Sequence, residues 1–424
     1  YNEYEEQNNT LPSYLSLISA KENYIFSFET SKRFNSFDDM VQKMPEAKIE
    51  VPNQRLWDMP LYYSSTTSGA SFEKKYAFYY QPPERVARFD TIQNLSYVTG
   101  VGPVNIVPYA FIRETIYSRN RWESGAFGRQ TVGAGSSFYS QFHKIYDYDT
   151  DFAGLDINDL RHIVVPRVVY FFQEQPSVDK DILYQMDYVD SLAKENGFRL
   201  SLENKLQTKR HYADDPKSMK RVDLLRFIAS TDYVFRMKKK SFEMEEPGKF
   251  ENVNFDLELD PYDWLFIQAM MSVTPKNQAL DTASLEFSLR PGNRFRMDLG
   301  YRYEKSDEYN TRNQLTFDTS LILSPQWRLG LYERWDMHES RIEEQQLSIT
   351  RDLHCWEVSL IYDLKGKNPM KDEFTLWCAF RIKAFPDLQI GLDRSYEKRP
   401  PGAMRQENVY TPPIPSTPQQ GSSI

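Results

Sequence analysis

Helix-length apolar runs are missing from this 424-residue chain, and so are the residue patterns on which most active sites are built. No stretch approaches the roughly 18 consecutive apolar residues of a spanning helix, which excludes a helical membrane protein. With only two cysteines, neither a disulfide framework nor a cysteine-rich zinc fold is available. The five histidines, His143, His162, His211, His338 and His354, lack the helical spacing of a zinc-protease motif, and no Gly-x-Ser-x-Gly elbow accompanies them. Positive charge is not in excess. The formal charge is -8, and the one basic run, Lys238-Lys239-Lys240, is followed by Glu243, Glu245 and Glu246, so no nucleic-acid partner is expected. Acid pairs at Asp38-Asp39 and Asp214-Asp215 sit beside turn formers and read as solvated turns, and no calcium loop of the required ligand order occurs. No catalytic residue, metal or cofactor is expected.

What the chain has is aromatic residues, 28 Tyr and 27 Phe, set in alternating segments. Residues 293–303 read N-R-F-R-M-D-L-G-Y-R-Y, with Phe295, Met297, Leu299, Tyr301 and Tyr303 on one face of a strand. Arg294, Arg296, Asp298, Gly300 and Arg302 take the other. Segments of this kind, about ten residues long, recur along most of the chain, as in a transmembrane antiparallel β-barrel whose strands face lipid on one side and a wet lumen on the other. Low overall hydropathy is compatible with that, since only alternate residues meet lipid.

Turn signals predict strands over 24–33, 72–81, 86–98, 105–117, 128–146 and 161–174. A second group follows at 197–209, 222–237, 250–259, 262–273, 280–289 and 294–304, and a third at 313–323, 327–337, 343–352, 354–365 and 374–383. With a weaker strand at 47–51, the expected total is about 18, inside the range of outer-membrane barrels. The barrel is expected to span 21–385, preceded by a loop or linker over 1–20. A periplasmic tail over 386–424 is expected to be disordered from about residue 398, because Pro400, Pro401, Pro412, Pro413, Pro415 and Pro418 stand among Gln, Ser and Thr. The chain begins at Tyr1 without a signal peptide, so it is expected to be the C-terminal part of an exported protein.

Five motifs occur in order along this wall. They are Met44-Pro45-Glu46; Val107-Pro108-Tyr109 with Glu114-Thr115-Ile116-Tyr117; residues 160–170, L-R-H-I-V-V-P-R-V-V-Y; residues 196–210, N-G-F-R-L-S-L-E-N-K-L-Q-T-K-R; and residues 351–356, R-D-L-H-C-W. Taken together they resemble the LptD family, the outer-membrane lipopolysaccharide-assembly proteins, with Gly197 standing where that pattern has Arg. The resemblance implies the C-terminal portion of a barrel of about 26 strands. It further implies a translocon that inserts lipopolysaccharide into the outer leaflet through a lateral gate, partnered by a plug lipoprotein (LptE-like), a periplasmic bridge protein (LptA-like) and outer-membrane lipids.

On that reading 374–383 is one lip of the gate, carrying Phe374, Leu376, Phe380 and Ile382. Arg294, Arg296, Asp298 and Arg302 are the lumen candidates for contact with lipopolysaccharide, the alternative being that they merely solvate a water-filled interior. Parity places Cys355 on the lumen phase and Cys378 on the apolar phase of adjacent strands, so no bridge between them is expected. The resemblance implies a disulfide from Cys355 to an N-terminal region outside the chain, with a packed free thiol as the alternative. The other function classes are a passive porin or receptor-like outer-membrane β-barrel, which would share the alternation without the motifs, and a barrel phospholipase, for which no Ser-His couple can be assigned.

Overall fold

The computed structural model describes residues 13–33, 39–77, 81–212, 217–235, 248–307, 310–366, 372–383 and 389–390. They form one antiparallel sheet of 23 strands. In chain order these are β1 (Ser13–Ala20), β2 (Ile25–Lys32), β3 (Met40–Leu56), β4 (Leu61–Lys75), β5 (Glu84–Tyr97), β6 (Thr99–Val101), β7 (Val104–Tyr117), β8 (Phe127–Tyr139), β9 (Phe142–Tyr146), β10 (Asn158–Gln173), β11 (Glu195–His211) and β12 (Met219–Val234). There follow β13 (Lys249–Phe250), β14 (Val253–Tyr262), β15 (Leu265–Thr274), β16 (Ala279–Leu289), β17 (Phe295–Asp307), β18 (Asn310–Ser324), β19 (Trp327–Asp336), β20 (Arg341–Asp352), β21 (Trp356–Gly366), β22 (Asp372–Ile382) and β23 (Gln389–Ile390). Four of the 23 (β6, β9, β13 and β23) are short pieces, which leaves nineteen full staves, each paired with the next. Among the described residues no helix is long and apolar enough to cross a membrane; the crossing is made by strands.

Several boundaries differ from the sequence reading for identifiable reasons. β1 lies inside the stretch read as a linker. Its segment S-Y-L-S-L-I-S-A carries apolar side chains in both phases, so it shows no period of two. β4 starts at Leu61 and ends at Lys75, where a strand over 72–81 was expected, because its S-S-T-T-S run has β-propensity but no apolar phase. The segment 128–146 is two strands, broken at Ser140 and both hydrogen-bonded to β10. Pro45 is accommodated inside β3 by a register shift between Lys43 and Glu46, where its missing N–H breaks no ladder bond. Of the tail at 386–424, only β23 lies within the described residues.

Cross-strand register carries each face across the wall, since directly opposed residues project to the same side. Phe287, Leu299 and Phe317 form one such row on β16, β17 and β18. Leu329 with Ile349, Leu331 with Leu347, and Leu360 with Cys378 continue the same face through β19 to β22. This outer face is apolar and exposed, and it holds a shallow depression of about 510 Å³ lined by Leu321, Leu329, Leu331, Leu347, Ile349 and Leu360. An apolar surface continuous over so many strands has lipid as its solvent.

The opposite face is polar. Arg199 opposes Asp232, Arg226 opposes Glu258, Ser288 opposes Asp298, and Arg334 opposes Glu344. Its charges pair along the wall: Arg199 with Asp232 at 2.8 Å, and Arg226 with Glu203 at 3.0 Å and Glu258 at 3.4 Å. The ladders continue this face from β11 through β10 and β8 to β7 and β5, through Val169 opposite Arg199, Phe171 opposite Gly135, and Gly135 opposite Tyr109. Here it becomes aromatic. Phe111 covers Gly133 and Tyr109 covers Gly135, so a Cβ on Gly133 would stand 2.6 Å from the Phe172 carbonyl oxygen and one on Gly135 2.5 Å from the Tyr109 hydroxyl. Gly133→Ala is therefore expected to cost about 1–3 kcal/mol as an overpacked wall position. Denaturant titration of the refolded protein checks this; a stability equal to the parent would mean that the Phe111 ring and the Phe172 backbone both give way.

Hairpin connections differ at the two ends. At one end they shrink to residues 263–264 and 325–326, although 147–157 is a longer excursion there. The other end carries 118–126, 235–252 and the longest, 174–194.

Candidate functional site

Residues 174–194 connect β10 to β11 and fold back onto the polar face of β4, β5, β7 and β8. The loop's own sequence explains the inward turn. Ile182, Leu183, Met186 and Val189 would be exposed if it projected into water, whereas here Leu183 and Met186 pack with Ala70, Phe72, Val86 and Tyr117. A single 3₁₀ turn at Lys180–Ile182, capped by the Asp179 carboxylate accepting from the Asp181 N–H at 3.0 Å, starts the return.

Three arginines of the wall meet the loop. Arg88 on β5 donates from Nη1 to Asp187 Oδ1 at 2.7 Å and to Asp190 Oδ1 at 2.9 Å, and from Nη2 to Asp187 Oδ2. Its guanidinium lies 4.6 Å from the Phe72 ring centroid. Arg129 on β8 gives all three of its donor nitrogens to loop carbonyls: Nε to Val178 at 3.0 Å, Nη1 to Val189 at 2.8 Å and Nη2 to Leu192 at 2.7 Å. Arg113 on β7 is held within the wall by Asp90 at 2.8 Å and meets the loop at Tyr188, donating to its hydroxyl at 3.4 Å with the guanidinium 5.4 Å from the ring centroid.

Asp190, 1% exposed, is the centre of the latch. Its Oδ1 also accepts from the Tyr117 hydroxyl at 2.8 Å, and its Oδ2 from the Met186 N–H at 2.9 Å. Such buried charges are tolerable only because each is paired and its remaining hydrogen-bonding capacity is met. The loop is thus fixed to the wall by charge-assisted bonds over an apolar bed, just inside the long-connection end.

The residues singled out from sequence lie elsewhere. Arg296 donates from Nε to Asp298 Oδ2 at 2.8 Å, and Asp298 is buried, accepting also from the Ser288 hydroxyl. Arg302 lies 3.6 Å from Glu304. Arg294 is not on the strand: it is exposed in the turn before β17. On β22, Phe374, Leu376 and Phe380 are exposed on the outer face, Phe374 at 75%, with Ile382 in the same phase. Cys355 sits in the turn between β20 and β21, not on a lumen phase, and both it and Cys378 are free and exposed thiols.

At the opposite end the excursion 147–157 is tied down through Asp156. Its carboxylate accepts from the His211 N–H at 2.6 Å and from Asn158 Nδ2 at 2.8 Å, and lies 2.8 Å from His211 Nδ1. Burial works to raise this carboxyl, but the bonds from His211 and Asn158 outweigh it and hold it below the ordinary value. A depressed carboxyl stabilises fully above the unfolded pKa of about 3.9, and the contribution disappears as pH falls through the folded value. Cleavage within 147–157, normalised at each pH to cleavage of the unfolded chain, is thus expected to rise as the pH falls below the ordinary aspartate value of about 3.9, and a ratio that does not change with pH would refute the tether. Asp147, Asp149 and Asp159 also cluster here, but Asp159 already pairs with Lys209 at 2.7 Å.

No family model matches the chain, and no curated protein does. Among solved structures it is similar to the copper transporter OprC, at 10% identity over 87% of this chain and 70% of that one, with a TM-score of 0.38. It is similar to the FrpB iron transporter from Neisseria meningitidis, at 9% identity over 87% and 72% and a TM-score of 0.40. It is also similar to the ferric enterobactin receptor PfeA from Pseudomonas aeruginosa, at 6% identity over 87% and 70% and a TM-score of 0.42.

These findings overturn the expected membership of the LptD family. With it go lipopolysaccharide, the LptE-like plug and the LptA-like bridge as partners. The motifs that suggested them are explained by the wall itself: residues 196–210 are the alternation of β11, with Arg199 answering Asp232 across the ladder. What stands is a multi-stranded antiparallel wall with one apolar and one polar face, the pattern of an outer-membrane β-barrel.

Proposed function

We propose that the chain forms a receptor-like, non-enzymatic barrel that admits a polar solute, with loop 174–194 as the constriction of its outward-facing mouth. The observation that carries this is the latch of Arg88 and Arg129 onto the loop, on the same face as the polar ladders of β11 to β22. A wall that only had to be wet would not need a loop with an apolar underside fixed against it by buried charges. The long-connection end is taken as extracellular because outer-membrane barrels keep their longer loops there.

Reconstitution in planar bilayers tests the reading. Replacing 177–192 with a short Gly-Ser linker is expected to raise single-channel conductance about threefold or more, as loss of a constriction would in a lumen of this type. An unchanged conductance would remove the loop from the permeation path.

A further inference from the structure

We infer that Arg88 and Arg129 form an anion-binding site which the loop occupies with its own groups, and that a solute bearing two neighbouring oxyanions opens the mouth by replacing them. The inference rests on the reading of 174–194 as a constriction. Consider the wall with the loop lifted away. Arg113 keeps Asp90, which also accepts from Thr115 at 2.7 Å. Arg88 loses Asp187 and Asp190 together, and Arg129 loses the carbonyls of Val178, Val189 and Leu192.

Two guanidinium groups are then unpaired in neighbouring rows, since Arg88 opposes Tyr117 while Arg129 opposes Thr115 two residues along the same strand. Tyr117, its hydroxyl released by Asp190, stands on the same face as a further donor. Planar forks of this kind take carboxylate or phosphate in two-point fashion, which is how Arg88 now holds Asp187. The loop therefore cannot leave at low cost unless anionic groups arrive. The pair Asp187 and Asp190, three residues apart in one tight segment, sets the ligand's character: two oxyanions on a compact frame.

The test uses a thiol beneath the loop. In a background where Cys355 and Cys378 are serine, Val189→Cys places a near-isosteric thiol at a buried position. Maleimide labelling of this protein in vesicles, its fold checked by heat-modifiable migration, then reports opening. Pyrophosphate or citrate is expected to accelerate labelling about tenfold over sodium chloride of equal ionic strength, equivalent to about 1.4 kcal/mol. Arg88→Gln should abolish the difference between anions. Response to pyrophosphate alone assigns a phosphate-type ligand, and response to citrate alone a polycarboxylate.

Asp187→Asn with Asp190→Asn supplies the separation of outcomes. If this variant labels faster but no anion has an effect on the parent, the mouth opens and the anion site is refuted. If neither the variant nor any anion changes labelling, the constriction reading fails with it. Should the double variant not fold, Asp187→Asn alone serves the same purpose, because Asp187 is the less buried of the two.

Discussion

Replacing Leu299 with arginine is expected to cost the folded barrel about 2–4 kcal/mol in lipid, while Arg296→Gln, three residues away on the same strand, costs little. Leu299 stands between Phe287 and Phe317 on the outer face, so a guanidinium there must be desolvated against hydrocarbon or drag water into the membrane. Arg296 faces the other way and is partly exposed, and the Nε2 of a glutamine stands at the same bond distance from the backbone as the Nε that donates to Asp298, whose carboxylate also accepts from the Ser288 hydroxyl. Reversible unfolding of the two variants in lipid vesicles measures the difference. The reverse order of stabilities would exchange the two faces of the wall throughout.

A larger loss is expected from Arg88→Ala. Removing one partner of a buried ion network costs about 3–5 kcal/mol, because the charges left behind have no water to turn to. Asp190, 1% exposed, would be left with only the Tyr117 hydroxyl and backbone donors, Asp187 would lose its two-point partner, and the loop would be released. Combining Arg88→Met with Asp187→Asn and Asp190→Asn should recover most of the stability, since a neutral replacement carries no desolvated charge. It should not restore closure, so protease sensitivity of 174–194 would stay high while the unfolding midpoint returns. A single Arg88→Ala variant as stable as the parent would mean that the latch is wet.

Much of the wall was legible because the barrel imposes a period of two on every stave. Residues 295–303 display it without exception, and the predicted strand there loses only Arg294 at its start and runs on to Asp307. The period fails where both phases carry similar residues, as in the hydroxyl run of β4 or the apolar run of β1. The latch was not legible, because nothing in a period of two links Arg88 to an aspartate 99 residues away. One signal was present: residues 182–189, I-L-Y-Q-M-D-Y-V, are too apolar for a hydrated connection. The family resemblance failed for a related reason. Barrel strands of unrelated function share alternating aromatics and paired charges, so short motifs recur without common descent.

The separation between latch partners also sets an order of assembly. Arg88 meets Asp187 and Asp190 across 99 and 102 residues, and Tyr117 meets Asp190 across 73, whereas the ladders of β5, β7, β8 and β10 close between near neighbours in sequence. Local hairpins form first, and contacts that close long loops follow them. The strands bearing Arg88 and Arg129 are therefore in register before the loop can seat, and each barrel passes through a stage in which these two arginines lack their loop partners while Arg113 already holds Asp90.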